Sequence, residues 1–222
     1  MEEEIKVICT QCGAMLVPDR ENMIYRCMHC GVAFGSSIIF DKNAITKARE
    51  ALDYCEFNEA DVWYRCVLML CPGDFEALRG RILCAGKWRS FIEIDEPFGL
   101  TAARIKNVRE SINDALTHAE EEDKVYFESC NKLVDILEHI WEKELKIRPL
   151  SEKKAKLEAE LLLTSQLESD GIGYSTVQSS IAGVRSQLAP LVNEKKDLIT
   201  QFVNERKSVL YFEGSKLKLK DK

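Results

Sequence analysis

A chain of 222 residues, 45% hydrophobic and 31% charged, is long enough to bury a core. Its few glycines and prolines, 11 and 5, favour helices over loops and disorder. A net charge of −6 gives no global attraction to phosphate backbones, and the longest uncharged run, Gly171 to Val184, is too short and too polar to span a bilayer.

The chain opens on Glu2, Glu3 and Glu4, where a secretory leader would be basic and then apolar, so a cytoplasmic protein is expected. The strongest chemical signal follows at once. Cys9 and Cys12 form one CxxC pair and Cys27 and Cys30 a second, with fourteen residues between the pairs, the spacing of a four-thiolate zinc site. Gly13 and Gly31 follow the second cysteine of each pair, where positive φ turns backbone N–H groups towards the sulfurs. Between the pairs, Ala14 to Val17 and Asn22 to Arg26 read as strands of a hairpin, with Pro18, Asp19, Arg20 and Glu21 as its turn. Val32 to Phe34 would add a third strand. The segment 1–36 is therefore predicted to be a zinc ribbon with almost no core of its own, folded largely by one structural Zn2+. Four thiolates leave no open coordination position, which excludes catalysis at the metal. His29, inside the second knuckle, is predicted to be a surface residue rather than a ligand.

Residues 37–148 read as paired helices. Gly35 to Ser37 is a linker, and Asp41 is the expected N-cap of a helix to about Glu56, with Ala44, Ile45, Ala48, Ala51, Leu52 and Cys55 at helical spacing. Asn58 caps a second helix carrying Ala60, Trp63, Tyr64, Val67, Leu68 and Leu70. Pro72, Gly73 and Asp74 end it and cap a third, Phe75 to Ala85. Ala48, Ala60, Tyr64, Val67 and Pro72 fall where a 34-residue tetratricopeptide repeat places small or apolar residues and its closing proline. Gly86 and Lys87 then turn the chain, and Glu96 to Gly99 interrupts the following helix. Trp88, Phe91 and Phe98 are expected to pack that insertion down. Thr101 opens a helix with Ile105, Val108, Ile112, Ala115 and Leu116 on one face. An acidic start, Glu120 to Asp123, opens another, carrying Tyr126, Cys130, Leu133, Leu137, Ile140, Trp141 and Leu145, which Pro149 should close. Cys55, Cys66, Cys71, Cys84 and Cys130 read as small buried hydrophobes.

Residues 149–213 read as a coiled-coil-like antiparallel helical hairpin. Leu150, Leu157, Leu161 and Leu167 mark one arm, and Asp170 to Gly173 breaks it. Ser175 and Gln178 form a capping-box pattern for the second arm. Val177, Ile181, Val184, Leu188, Leu191, Leu198 and Phe202 recur along it, Lys195 interrupts the seam, and Pro190 should kink or end it. Residues 214–222 read as a solvated basic tail, with a short hairpin around Glu213 to Ser215 as the alternative.

Cys9, Cys12–Gly13, Cys27 and Cys30–Gly31, followed by Asn58 to Ala60 and Pro72 to Leu78, give the chain an order of parts that resembles bacterial proteins joining a TFIIB-type zinc ribbon to tetratricopeptide-like helices. The resemblance covers about the first half of the chain. It implies a cytoplasmic zinc-binding protein of undefined role and no activity that can be carried over residue by residue. The fold expected is mainly α, with a small N-terminal β ribbon, helical hairpins and a C-terminal antiparallel hairpin.

Three function classes follow. The first is a non-enzymatic adaptor whose helices bind a protein partner, with Lys42, Ile45, Arg49, Leu52 and Asp53 on the concave side. The second is nucleic-acid binding or a transcription-associated role, against which the ribbon's charge argues: Lys6, Arg20 and Arg26 face Glu2, Glu3, Glu4, Asp19 and Glu21, and zinc with four thiolates adds a formal −2. The third, an enzyme, lacks support. The three histidines, His29, His118 and His139, sit beside no nucleophile or ligand pair, and there is no phosphate-binding loop, dinucleotide fingerprint or HExxH motif. The basic end of the chain is too short to anchor it to a membrane alone.

Overall fold

The computed structural model describes residues 6–19, 21–94, 100–166 and 171–220, with backbone alone at 164–166, 171–172 and 218–220. Arg20 of the expected turn, the acidic opening at Glu2 to Glu4, the interruption at Glu96 to Gly99 with Phe98, the seam residue Leu167 and the breaker Asp170 lie outside the described residues.

The chain is mainly helical behind a three-stranded antiparallel sheet. Strands β1 (Leu16–Asp19), β2 (Ile24–Cys27) and β3 (Ala33–Gly35) lie in chain order, with Leu16 opposite Cys27 and Tyr25 opposite Phe34. The third strand is present as the sequence implied. The turn begins later than expected, because Pro18 and Asp19 belong to β1. That strand lies at the sheet edge, where proline needs no ladder donor. Asp19 then closes the turn by accepting from the Asn22 backbone N–H (3.2 Å) and side-chain amide (2.9 Å).

Seven α-helices follow among the described residues: α1 (Ser36–Ile39), α2 (Ala44–Asp53), α3 (Phe57–Leu70), α4 (Phe75–Gly86), α5 (Ala102–His118), α6 (Glu121–Gln166) and α7 (Gly171–Lys220). No described helix is long and apolar enough to cross a membrane. Two caps are where the sequence placed them: Asp74 accepts from the Ala77 amide at 3.0 Å and Thr101 from the Arg104 amide at 3.2 Å. Others are not. The Asp41 side chain accepts from the Asn43 amide (2.8 Å) and pairs with Lys47 (2.5 Å), and α2 starts after it with no side-chain cap. Helix α3 begins at Phe57, one residue before its expected cap Asn58. The supposed linker after Gly35 is the short helix α1, which buries Ile39.

By contact the chain forms two compact units, Met1–Val134 with Ser208–Lys222, and Asp135–Lys207. In the first, α2 packs on α3, α3 on α4 and α4 on α5. The small residues Ala48 and Ala60 are fully enclosed, which lets the first two of these helices approach closely. Gly80 serves the next contact: a Cβ built on it would lie 2.3 Å from the ring of Tyr64, itself buried and unable to move aside. Gly80→Ala is expected to cost about 2–3 kcal/mol by overpacking, read as a lower urea midpoint with unchanged slope, and Tyr64→Leu in the same background should recover part of it. Trp88 and Phe91 pack together with ring centroids 6.0 Å apart, and Phe91 is buried.

The same unit contains the start of α6 and the end of α7. Phe75, Tyr126, Phe127 and Phe212 form one aromatic cluster with centroids 4.9–6.0 Å apart. The expected basic tail is instead the last turns of α7 as far as Lys220, where Lys216 pairs with Glu122 (2.6 Å) and Asp123 (2.7 Å). Of the five outlying cysteines, Cys66, Cys84 and Cys130 are buried as expected, whereas Cys55 and Cys71 are exposed.

In the second unit α6 and α7 lie side by side. Lys143 and Glu144 pair with Glu194 and Lys195, and Glu158, further along α6, pairs with Arg185, earlier in α7, which makes the two helices antiparallel. Leu137, Ile140, Ile147, Val177, Ile181, Val184 and Phe202 are buried. Pro149 does not close its helix as expected and Pro190 does not end its own; both helices run through them. Each proline occupies an exposed position, so the carbonyl it leaves without a partner can bond water. Ser175, expected as a cap, lies inside α7, and its carbonyl accepts from the Ser179 hydroxyl at 2.9 Å.

Candidate metal centre

The two CxxC knuckles are built alike. In the first, the Cys9 amide bonds the Ala14 carbonyl (2.8 Å) and the Gly13 amide returns to the Cys9 carbonyl (2.8 Å). In the second, the Cys27 amide bonds Val32 (2.8 Å) and the Gly31 amide returns to Cys27 (2.9 Å). Gly13 and Gly31 take φ of 73° and 78°, the left-handed conformation their position anticipated. Leu16 donates to Val7 at 2.9 Å and Ile8 bridges to Met15, which carries the first knuckle on the edge of β1, while Cys27 ends β2.

The sulfurs of Cys9, Cys12, Cys27 and Cys30 all lie within 4.8 Å of one another and could hold a metal ion. The closest approaches cross between knuckles, 3.6 Å for Cys9 to Cys30 and 3.4 Å for Cys12 to Cys27. A tetrahedron with metal–sulfur bonds of about 2.3 Å has edges of about 3.8 Å, so the four donors have the size such a metal needs. Cys9 and Cys27 are buried, and Cys12 and Cys30 face out. His29 is exposed in the knuckle and outside the sulfur cluster.

The sulfurs differ in acidity. The Cys30 amide, and behind it that of His29, hold the Cys27 thiol down at about 6 against desolvation. The Ala14 amide pulls Cys12 down, but desolvation and the neighbouring sulfurs outweigh it and push that thiol up to about 12. Cys30 is also raised: the Val32 amide lowers it, and desolvation and the sulfurs of Cys27 and Cys9 prevail. Four sulfurs this close cannot all carry charge without a cation among them.

The ribbon is not left to the metal alone, as its sequence suggested. Val7, Cys9, Leu16 and Cys27 share one buried cluster with Ile39 of α1 and Met69 of α3, and Ala14, Tyr25, Phe34 and Leu70 pack against it. The Ile8 amide donates to the Met69 carbonyl at 3.0 Å, fixing the first knuckle to α3. Sequence reasoning passed over Val7 and Met69; their only signal was apolarity beside a polar knuckle.

Beside the first knuckle lies a cleft of about 280 Å³ whose walls include Gln11, Cys12, Leu78, Arg81, Asp114 and His118. Its charges are mutually engaged: Arg81 pairs with Asp61 (3.3 Å) and Asp114, and His118 Nδ1 bonds the Asp114 carbonyl (2.9 Å).

The five residues predicted to face a partner are divided. Lys42, Ile45 and Arg49 line a groove of about 420 Å³ between α2 and α3, with Ile39, Val67 and Leu70. Arg49 is held there by a bidentate bond to buried Glu76, at 2.5 and 2.7 Å. Leu52 is buried, because the α2 surface that carries it faces the core, and so cannot touch a partner. Asp53 is exposed but does not line the groove. No protein-family model matches this chain, and no curated protein and no solved structure matches it.

Proposed function

We propose that the chain is a non-enzymatic, zinc-binding interaction protein, in which one Zn2+ on Cys9, Cys12, Cys27 and Cys30 holds the ribbon and the tetratricopeptide-like helices α2 to α4 bind a protein partner. The observation that carries it is the set of four sulfurs within 4.8 Å of one another, enough thiolates to fill a tetrahedral zinc shell. An all-thiolate tetrahedral site suits zinc or iron, and a structural role in a small ribbon favours zinc, which has no redox chemistry. The metal therefore serves shape, and recognition falls to surfaces.

The groove lined by Lys42, Ile45 and Arg49 suits that task. Ile39, Ile45, Val67 and Leu70 give it apolar walls, Lys42 and Asp41 supply charge, and bonds to buried Glu76 already fix the Arg49 guanidinium. Affinity purification from the cells that make the protein, run with wild type and with Ile45→Glu, tests the assignment. A set of proteins recovered by the first and lost by the second is expected, at equal zinc content. Recovery of the same set by both, or of none by either, would remove the groove from the account.

A further inference from the structure

The α2–α3 groove and the ribbon share side chains. Ile39 and Leu70 line the groove, and both pack into the ribbon's core. Ile39 is a buried member of the cluster with Cys9 and Cys27, and Leu70 lies against it. Met69, next to Leu70, is buried in the same cluster, and its carbonyl accepts from the Ile8 amide at 3.0 Å. Both walls of the groove thus meet the cluster that carries two of the four sulfurs.

The wall made by residues 39–42 hangs from the ribbon. It follows β3 through α1, a single turn of four residues with no side-chain cap and too short to be stable alone. The Ser36 amide donates to the Met23 carbonyl at 2.9 Å, Ile39 fills the cluster, and the Phe40 ring meets Tyr25 edge-on with centroids 5.5 Å apart. The short helix also packs on α3, where Ile39 and Met69 belong to that same cluster. Beyond it, Asp41 bonds the Asn43 amide and Lys47 at the start of α2. Cys66 of α3 lines the groove, is buried, and is close enough to the Asp41 carboxylate to feel its charge.

Metal binding and ribbon folding are one equilibrium, so these contacts weaken when the metal leaves. We propose that zinc gates the groove: with metal bound, residues 39–42 and Leu70 form its walls, and loss of zinc releases residues 36–42 with the ribbon while α4 and α5 stay packed. The proposal rests on the reading of the groove as a partner site and supplies its regulation, binding by the zinc-loaded chain and release by the stripped one. Linkage makes the coupling reciprocal, so an occupied groove also holds zinc more tightly.

Alkylation of the full chain with iodoacetamide, read cysteine by cysteine by mass spectrometry with and without a zinc chelator, tests this. Cys66 reports the groove. Cys84 in α4 and Cys130 in α6 are buried and belong to neither the groove nor the ribbon cluster, so they report the rest of the unit. In the zinc-loaded chain all three should react slowly. Chelation should speed Cys66 by about tenfold or more and leave it faster than Cys84 and Cys130 by a similar factor, and added zinc should restore its protection. The proposal is overturned if Cys66 stays slow once metal analysis shows the zinc gone, if Cys84 and Cys130 keep pace with it, or if the purified chain holds no zinc to remove. Alkylation reads the groove and not its occupant. A partner lost on Ile45→Glu can therefore stand while gating fails, and gating can stand where no partner is recovered.

Discussion

Cys27→Ser is expected to empty the metal site and destabilise the first unit by on the order of 5 kcal/mol or more, because zinc binding and ribbon folding are one equilibrium. Three features meet at Cys27. It is buried, it ends the central strand, and two backbone amides point at its sulfur and hold it ionised near neutral pH. A serine hydroxyl there would be a poor zinc ligand and an unsatisfied polar group in the cluster with Ile39 and Met69. Cys12→Ser should be milder, since its sulfur faces solvent. The acidities set the sign of the pH effect. With Cys12 and Cys30 raised, loading the metal expels protons from these thiols, so zinc is retained at neutral pH and released as pH falls and protons reclaim the sulfurs. Cys27, with the depressed value, protonates after Cys12 and Cys30. Chelator-detected zinc release and amide exchange at Ile8, whose N–H bonds Met69, should move together.

Glu213→Ala carries the second large effect, a loss of about 3–5 kcal/mol. The Glu213 carboxylate is buried in the last turns of α7, where Arg79 of α4 donates to it from Nη2 at 2.9 Å and forms an ion pair with its Nε 2.7 Å away, and the Tyr126 hydroxyl of α6 donates to it at 2.6 Å. Burial works to discharge the Arg79 guanidinium, and Glu213 more than offsets it, so the charge stays. Without the carboxylate that charge remains in a site almost closed to water, and a buried phenol loses its acceptor. The pair Arg79→Leu with Glu213→Leu should recover most of the loss, since removing both charges leaves nothing uncompensated. Urea titration of the two single variants and the pair measures the coupling. If Glu213→Ala unfolds at the wild-type midpoint, the end of α7 is not part of this core.

These two sites also mark what the sequence could disclose. The cysteine cluster was legible because tetrahedral metal coordination imposes short-range spacing, two residues between ligands and glycine after each pair. The caps at Asp74 and Thr101 were legible because they act within three residues. Glu213 was not: its partners lie 134 and 87 residues away, and its local context of glycine, serine and lysines reads as a tail. Pro149, expected to close its helix, misled for the opposite reason. The local rule against proline in a helix is sound, but continuous packing on either side outweighs a cost of about 3 kcal/mol at an exposed position. Leu52 shows the same limit within the partner surface. Helical spacing put it on one stripe with Ile45 and Arg49, and only the placement of α3 and α4 decides which part of that stripe stays open.

The central claim is that four sulfurs close around one zinc and serve shape alone. Metal analysis joined to X-ray absorption at the zinc edge on the purified full chain tests it most directly. One zinc per chain in a shell of four sulfurs at about 2.3 Å is the predicted result. A ribbon that stays folded without metal, or a zinc shell containing a water oxygen in place of a sulfur, would contradict it.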